Sequence, residues 1–294
     1  MPELPEVETI RLGLARLLPG RRVAAVDSDW PKSFPNSESD VKHFLIGTEI
    51  TAVRRRAKVL IVELSNEYSL IIHLKMTGQL VFRGADERFG AGHPNDSLVG
   101  DLPDRSTRVT LWFEDGSRLF FNDQRKFGWM RLLPDMEIMN LDFFKKVGPE
   151  PLGTDLDAKI LQARAARRGK SNIKSVLLDQ TVLAGVGNIY ADEALWGAKI
   201  HPATLTGELT TGDFKRLYNE LVYILRLSIE KGGSTDKNYV DTAGKKGSYL
   251  KFARVFRREG QPCPRCGTTI IKTRVAGRGT HLCPHCQKPP AGAR

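Results

Sequence analysis

The first nine residues of the chain, MPELPEVET, carry the residue types whose chemistry is easiest to state. Loss of Met1 would leave Pro2 with a secondary α-amine at the N-terminus. Such an amine has a pKa of about 7.7–8.0, so roughly a tenth of it is neutral and nucleophilic at pH 7. Its adduct with an aldehyde-level carbon is an iminium ion that has no N–H to lose and that acts as an electron sink. Glu3 and Glu6 lie within reach and can transfer protons.

The cysteines form two CxxC pairs with sixteen residues between them: Cys263 and Cys266, then Cys283 and Cys286. In a reducing compartment this spacing indicates a structural zinc site and not two disulfides. Two CxxC turns supply the four thiolates of a tetrahedral site, which leaves no position for water. His281 and His285 are alternative ligands by position, and we expect both to be bystanders.

Charge points to a polyanionic partner. The 294 residues include 45 Lys and Arg against 34 Asp and Glu, a net charge of +11. Such a surplus favours nucleic acid first and an anionic membrane surface second, although a merely soluble basic protein can share it. No apolar run reaches the roughly 18 residues of a membrane span, and the acidic start does not resemble a signal peptide. We therefore expect a cytoplasmic protein.

Periodicity predicts the elements that must position these residues. Apolar residues at helical spacing predict a first helix that ends before Pro19 and Gly20. A series of short β-rich runs follows, which indicates an antiparallel β-sandwich with the helix packed on it. The runs are Val23–Val26, Ile50–Val53, Val59–Leu64, Leu70–Leu74, Val109–Phe113, Leu119–Asn122 and Trp129–Leu132. Residues 83–106 are rich in Gly, Asp and Pro, and predict a long surface loop.

After Gly148 and Pro149 the pattern becomes helical. Helices are predicted at Leu156–Ala166, Ile173–Leu178, Ile189–Leu195 and Phe214–Ile229. Residues 232–248 are polar and contain glycine, which is typical of a mobile loop. The expected fold class is α+β, in three parts: a β-sandwich domain over 1–148, a helical domain over 152–254, and a zinc ribbon with a tail over 255–294.

Four motifs together show a family resemblance. PELPEVET, AGVGNIYADE, GGSTDKNYV and the four-cysteine site occur in this order, and the chain resembles the bacterial formamidopyrimidine-DNA glycosylases of the Fpg/Nei family. The resemblance covers nearly the whole chain. It implies a helix–two-turn–helix in the helical domain, a monomer that binds double-stranded DNA, and one structural zinc. It also implies base excision repair: removal of 8-oxoguanine opposite cytosine and of formamidopyrimidines, then strand cleavage by β,δ-elimination at the abasic site.

The resemblance assigns catalytic roles to matching positions. Pro2 matches the nucleophile that displaces the base at C1′ and forms the Schiff base, and Glu3 matches the catalytic acid. Lys58, in RRRAKVL, matches a lysine of β-elimination, although taken alone it would be a solvated charge. Arg278, between the cysteine pairs, matches an arginine linked to DNA contact and δ-elimination. Glu6 is a weaker candidate that supports the site. Alternatively, it is only an acidic residue at the start of the first helix.

The resemblance also implies DNA contacts. Met76 in HLKMTGQL, with Arg125 and Phe127 in NDQRKFG, matches the set that fills the space left by an extruded nucleotide. An apolar wedge replaces lost stacking, and a guanidinium can bond the pairing edge of the orphaned cytosine. By themselves, Met76 and Phe127 would be interpreted as packing residues.

Phosphate contacts are implied for three more positions: His73, Lys170 in RGKSNIK, and Asn188 in GVGNIYADE. His73 alone would be interpreted as a core residue of a strand. Loop 232–248 matches a segment that caps the extruded purine. One departure is Ser106, which stands where many relatives carry a DNA-contacting histidine.

Two alternatives are open at this point. Endonuclease VIII shares the fold and acts on oxidised pyrimidines, but Leu4 and the pair Arg125 and Phe127 argue against that branch. A non-catalytic DNA-binding protein with a zinc ribbon would need the basic surface but not a free Pro2 amine.

Overall fold

The computed structural model describes residues 2–234 and 249–290. These divide into two compact units: residues 2–145 with 231–234, and residues 146–230 with 249–290. The boundaries predicted at residues 148, 152 and 254 remain predictions. Most of the predicted capping loop, residues 235–248, lies outside the described residues, as does the end of the tail at 291–294.

The first unit begins with helix α1 (Leu4–Leu17) and continues as two antiparallel sheets. The order of the five-stranded sheet is β1-β7-β8-β5-β6, and that of the four-stranded sheet is β2-β3-β4-β9. The strands are β1 (Val23–Ser28), β2 (Ile50–Arg56), β3 (Val59–Leu64), β4 (Tyr68–His73), β5 (Gly78–Arg83), β6 (Arg88–Gly92), β7 (Thr107–Phe113), β8 (Arg118–Asp123) and β9 (Trp129–Pro134). The short helices are α2 (Glu38–Phe44), α3 (Asp135–Ile138) and α4 (Asp142–Lys146).

One apolar core lies between the two sheets. Leu14 of α1, Val62 of the four-stranded sheet and Leu80 of the five-stranded sheet belong to the same buried cluster. Helix α1 approaches β6 closely, since a Cβ on Gly13 would lie 2.2 Å from the Phe89 ring. The predicted β-sandwich with a flanking helix is therefore confirmed.

The prediction of a loop throughout residues 83–106 was wrong. This segment contains strand β6, which pairs with β5, and a 3-10 helix at Asp96–Leu98. Strand β5 was also absent from the predicted strands. Leu98 packs with Val81 and Phe120 on the outer face of the sheet. Glycine-containing RFGAG has low strand propensity by itself, and its pairing with β5 supplies the order that local composition does not predict.

The second unit is mainly helical. Its helices are α5 (Ala158–Ala166), α6 (Ile173–Leu178), α7 (Asn188–Ala198) and α8 (Thr211–Glu230), with further 3-10 helices at Thr206–Glu208 and Tyr249–Lys251. The buried face of α8 is the one expected from its periodicity, including Leu217, Leu221 and Ser228. Ser228 is tolerated there because its hydroxyl lies 2.6 Å from the Tyr190 hydroxyl.

The C-terminal segment packs on α7 and contains a hairpin, β10 (Ile271–Val275) and β11 (Arg278–Leu282), between its two cysteine pairs. Trp196 of α7 shares a buried cluster with Ile270 and Cys263. The fully buried carboxylate of Glu193 accepts N–H bonds from residues 254–256, the shortest at 2.8 Å. A buried charge satisfied in this way fixes the backbone that leads into the cysteine-bearing segment.

Candidate functional site

The predicted nucleophile lies at a rigid helix start. Glu3 precedes α1, and its N–H donates to Glu6 Oε2 at 2.9 Å, while its own side chain accepts from the Glu6 backbone. Pro5 in the first turn suits this geometry because its missing N–H would have no helical partner. Pro2, Glu3 and Glu6 are all buried. The capping box therefore holds Pro2 and Glu3 on an ordered support.

Glu6 also contacts the first residues of the predicted capping loop, 232–248. Its Oε1 accepts the Ser234 N–H at 2.8 Å. Gly233 has a φ of +84°, a conformation that favours glycine, and a Cβ there would lie 3.3 Å from Glu6 Cγ. Glu6 thus connects the start of α1 with residues 233–234, and its predicted supporting role stays a prediction.

Lys58 lies in the tight turn between β2 and β3 and is almost completely buried. Glu8 of α1 forms an ion pair with Arg55 at 2.8 Å, and Arg55 Nη1 donates to the Ala57 carbonyl at 3.0 Å. Burial alone would raise the pKa of Glu8, but hydrogen bonds from Arg11 and Arg55 hold it below its ordinary value. This half-buried pair anchors the turn that carries Lys58 to α1.

His73 ends β4, opposite Val59 and Trp129 in the sheet. Burial, together with the charges of Lys75 and Lys58, lowers its pKa to about 3, so the ring is neutral at neutral pH. The Lys75 N–H lies 3.0 Å from Nδ1, which must then accept, so the ring hydrogen lies on Nε2. His73 can therefore offer a neutral N–H donor to a phosphate, as the predicted contact requires.

The predicted wedge residues lie on two neighbouring loops. Met76 precedes β5 and is 42% exposed, and Phe127 follows β8 and is 56% exposed. The Arg125 guanidinium carbon lies 4.9 Å from the centre of the Phe127 ring. Because Gly78 of β5 pairs with Asp123 of β8, the sheet brings both loops to the same end of the unit.

Asp123, which the sequence analysis missed, organises both loops. Its fully buried carboxylate accepts N–H bonds from Gly128 at 2.6 Å and from Arg125 at 3.2 Å, and a further bond from the Thr77 hydroxyl. One carboxylate thus bonds the side chain of Thr77, next to Met76, and fixes the backbone on both sides of Phe127. An aspartate that follows a strand and begins a glycine-containing turn was the available signal.

In the second unit, Asn188 is the first residue of α7, and its amide donates to the Gly279 carbonyl at 3.0 Å. Gly279 adjoins Arg278, which is exposed at the end of a two-residue hairpin turn that contains Gly277 at φ +72°. The contact brings two predicted DNA-binding residues together. Lys170 is exposed in the turn before α6, and within the described residues its ammonium has no hydrogen-bond partner.

Lys174 was also missed. Its side chain is 0% exposed, and Nζ lies 2.7 Å from Asp192 Oδ1, 2.7 Å from Thr280 Oγ1 and 3.0 Å from the Gly279 carbonyl. Asp192 Oδ2 also accepts the His281 N–H at 2.9 Å. This buried ion pair ties α6 and α7 to the hairpin that carries Arg278. It also accounts for His281, which serves Asp192 and not the metal.

The four cysteines converge as predicted. Their sulfur atoms all lie within 4.8 Å of one another; Cys266 and Cys283 are 3.5 Å apart, and Cys263 and Cys286 are 4.0 Å apart. Tetrahedral coordination with Zn–S bonds of about 2.3 Å places the sulfur atoms about 3.8 Å apart. The set therefore fits one structural zinc ion, with every ligand supplied by the protein.

Models of three known domain families match successive parts of the chain. The formamidopyrimidine-DNA glycosylase N-terminal domain matches residues 1–130, the formamidopyrimidine-DNA glycosylase H2TH domain matches 147–239, and the zinc finger found in FPG and IleRS matches 260–289. The chain is 40% identical over 289 residues to the formamidopyrimidine-DNA glycosylase of Pelotomaculum thermopropionicum, covering 98% of this chain and 99% of the relative. The Herpetosiphon aurantiacus protein of the same name is 42% identical over 289 residues, with 98% and 100% covered.

Solved structures give the same result. The chain is similar to a mutant of the Lactococcus lactis protein in complex with Fapy-dG-containing DNA, with a TM-score of 0.86 and 35% identity over 98% of this chain and 100% of that one. A complex of the Lactococcus lactis protein with abasic-site DNA gives 0.85 and 33%, with the same coverage. In the part of the chain that the structure describes, no helix is long and apolar enough to cross a membrane.

Proposed function

Because the chain belongs to the formamidopyrimidine-DNA glycosylase family, we propose that Pro2, freed by loss of Met1, is the nucleophile with which this base excision repair glycosylase removes oxidised purines. The chain is a DNA glycosylase whose partner is lesion-containing DNA, and abasic-site lyase activity is typical of the family. The observation that carries the proposal is the buried, doubly capped start of α1, where Pro2 directly precedes Glu3, the residue that caps the helix. Action on the chromosome would place the protein in the bacterial cytoplasm, at the nucleoid.

The first chemical step joins protein and sugar. The neutral Pro2 nitrogen attacks C1′, and an N–C1′ bond forms as the bond to the damaged base breaks. The nitrogen gives up its proton, and the departing base takes up one. Glu3 then protonates O4′ as the ring C1′–O4′ bond opens, which leaves an iminium ion at C1′. The iminium acidifies the C2′ hydrogens, so loss of one of them expels the 3′ phosphate.

Strand cleavage is assigned to residues in both units. Lys58 is the candidate for the β-elimination step, in which the C2′ proton leaves. Arg278 is assigned to the elimination of the 5′ phosphate, which follows. Water then hydrolyses the Schiff base and regenerates the Pro2 amine.

DNA binding is assigned to the exposed loops and to phosphate donors. Met76, Arg125 and Phe127 fill the space that the extruded nucleotide leaves. His73, Lys170 and Asn188 bond phosphates, so the affinity for duplex DNA should fall steeply as salt concentration rises.

The test is borohydride trapping on a duplex with 8-oxoguanine opposite cytosine, with mass analysis of the N-terminus. We expect the wild type, processed to Pro2, to form a covalent adduct, and Pro2→Gly to lose most trapping while keeping salt-sensitive binding. Pro19→Gly, at the other end of α1, serves as the matched control and should trap normally. Equal loss of trapping and binding in Pro2→Gly would contradict the assignment, and faster excision of thymine glycol would move the substrate to oxidised pyrimidines.

A further inference from the structure

Three arginines lie side by side on the five-stranded sheet. Arg83 of β5 pairs directly with Arg88 of β6 on one side and with Arg118 of β8 on the other. Residues in register share one face of a sheet, and like charges directly opposite destabilise it. Burial, and then the charge of Arg88, lowers the pKa of Arg83 below its ordinary value. We call these three residues the arginine row.

The nearby carboxylates do not neutralise the arginine row. Glu87 and Asp115 lie at this end of the sheet, but both form ion pairs with Arg21, the first at 2.8 Å. Within residues 2–234 and 249–290, no member of the arginine row forms an ion pair with a carboxylate. Asp101 and Asp115 line the same cavity, so three guanidinium groups face two carboxylates that are not paired with them, and the cavity keeps a surplus of positive charge.

The arginine row lines a cavity of about 420 Å³. The segment that follows β6 forms one wall, with Asp101 and Leu102. Two of the guanidinium groups are held in place: Arg83 Nη2 donates to the Leu98 carbonyl at 3.0 Å, and the carbon of the Arg118 guanidinium lies 3.9 Å from the Trp112 ring centre. The cavity is in the size range of small-molecule sites, and its cationic groups are already oriented.

This cavity is separate from the two loops that carry Met76 and Phe127, which we call the wedge loops. Gly78, next to the loop of Met76, and Arg83 are at opposite ends of β5. Five residues of strand span about 17 Å, at about 3.4 Å per residue. The arginine row is therefore out of reach of a nucleotide held by Met76 and Arg125.

We propose that the arginine row binds a small phosphorylated ligand that carries at least two negative charges. Guanidinium groups match phosphate oxygens with paired N–H donors, and they keep their charge at every physiological pH. The same oxygens are present in a DNA backbone, but a cavity walled by the segment after β6 suits a compact anion better than an extended strand. The proposal goes beyond the repair reaction and does not depend on it.

The experiment measures the binding of inorganic pyrophosphate to the full-length, zinc-loaded protein by calorimetry. The variants are Arg88→Ala, which is exposed, and Arg118→Gln. The matched control is Arg22→Ala, because Arg22 is an exposed arginine of the same unit that already pairs with Glu49 at 3.2 Å. We expect one site per chain, affinity reduced about tenfold or more in each arginine-row variant, and unchanged affinity in the control.

Thermal melting gives an independent readout. Pyrophosphate should raise the melting temperature of the wild type and of Arg22→Ala, and should have little effect on Arg88→Ala. In buffer free of phosphate and pyrophosphate, Arg88→Ala should melt no lower than the wild type because a repulsive pair has been removed. If Arg88 only stabilised the fold, Arg88→Ala would melt lower than the wild type without pyrophosphate, and pyrophosphate would still raise its melting temperature.

Two results would overturn the proposal. If pyrophosphate affinity fell equally in Arg22→Ala and in the arginine-row variants, the anion would be bound by the overall positive charge of the protein and not by the arginine row. Displacement of pyrophosphate by an undamaged duplex whose own binding is weakened by Arg88→Ala would assign the arginine row to the DNA backbone. Excision of 8-oxoguanine should stay at the wild-type rate in Arg88→Ala, so a failure here is distinguishable from a failure of the Pro2 assignment.

Discussion

Replacing Asp123 with alanine should disable the wedge loops without touching the nucleophile. The buried carboxylate accepts bonds from two backbone N–H groups, of Gly128 and Arg125, and from the Thr77 hydroxyl. Hydrogen bonds to a charged group are worth about 1.5–3 kcal/mol each, and two of the donors left behind, on Gly128 and Thr77, belong to buried residues. Because neighbouring losses are not additive, we expect the free energy of unfolding of the first unit to fall by about 3–5 kcal/mol.

The functional consequence follows from the position of the loops. In the proposed function Met76, Arg125 and Phe127 enter the DNA stack together, and a misplacement of about 1 Å can cost about a hundredfold in rate. Single-turnover excision of 8-oxoguanine from a duplex should therefore fall about a hundredfold in Asp123→Ala. Borohydride trapping on a single-stranded abasic oligonucleotide needs no wedge and should fall less than about tenfold. Asp123→Asn keeps the shape of the side chain, so its excision rate should lie between those of the wild type and Asp123→Ala.

The matched control is Asp115→Ala, at the other end of the β7–β8 hairpin. Asp115 Oδ1 likewise accepts from the Ser117 N–H, at 3.0 Å, and from the Ser117 hydroxyl, at 2.6 Å, but it is far from the wedge loops. We expect wild-type excision in this variant. If Asp123→Ala excised 8-oxoguanine at the wild-type rate, or lost single-stranded trapping to the same extent, the assigned role of Asp123 would be refuted.

Four further predictions concern the rest of the molecule. Lys174→Met should cost about 3–5 kcal/mol of unfolding free energy in denaturant titration, since it leaves a buried carboxylate without its cation, whereas exposed Lys170→Met should cost less than about 0.5 kcal/mol. His73 has its pKa lowered to about 3, so the unfolded chain binds more protons below about pH 6.5 and stability should fall from there toward pH 3. At pH 5 this term is about 2 kcal/mol, and His73→Gln should show a correspondingly shallower pH dependence. Chelation should release one zinc per chain and expose the hairpin amides to hydrogen exchange, and retained protection would contradict a structural metal. Gly13→Ala should lower the melting temperature because its Cβ would meet Phe89, while Leu12→Ala, on the exposed side of the same helix, should change it little.

Much of the candidate site could be predicted from the sequence because its chemistry resides in short strings. The PELPEVET start predicts catalytic roles for Pro2 and Glu3, which stay predictions. The paired CxxC spacing predicts the zinc ligands, whose convergence the structure confirms. Periodicity also sufficed for the long helix, where Leu217, Leu221 and Ser228 are buried as expected. In these places the determinant is local: a fixed spacing puts side chains on one turn or on one face.

The tertiary structure alone decided the contacts between residues far apart in the chain. Strand β6 forms in a glycine-rich segment because β5 pairs with it, and Asp123 serves two loops because β5 and β8 are neighbours. Lys174 contacts Asp192 only after α6 and α7 pack together. The three arginines of the arginine row become neighbours only after β5 pairs with β6 and β8. Hydrogen bonds and charge pairs act over a few ångströms of space, and neither residue spacing nor composition specifies which distant segments come that close.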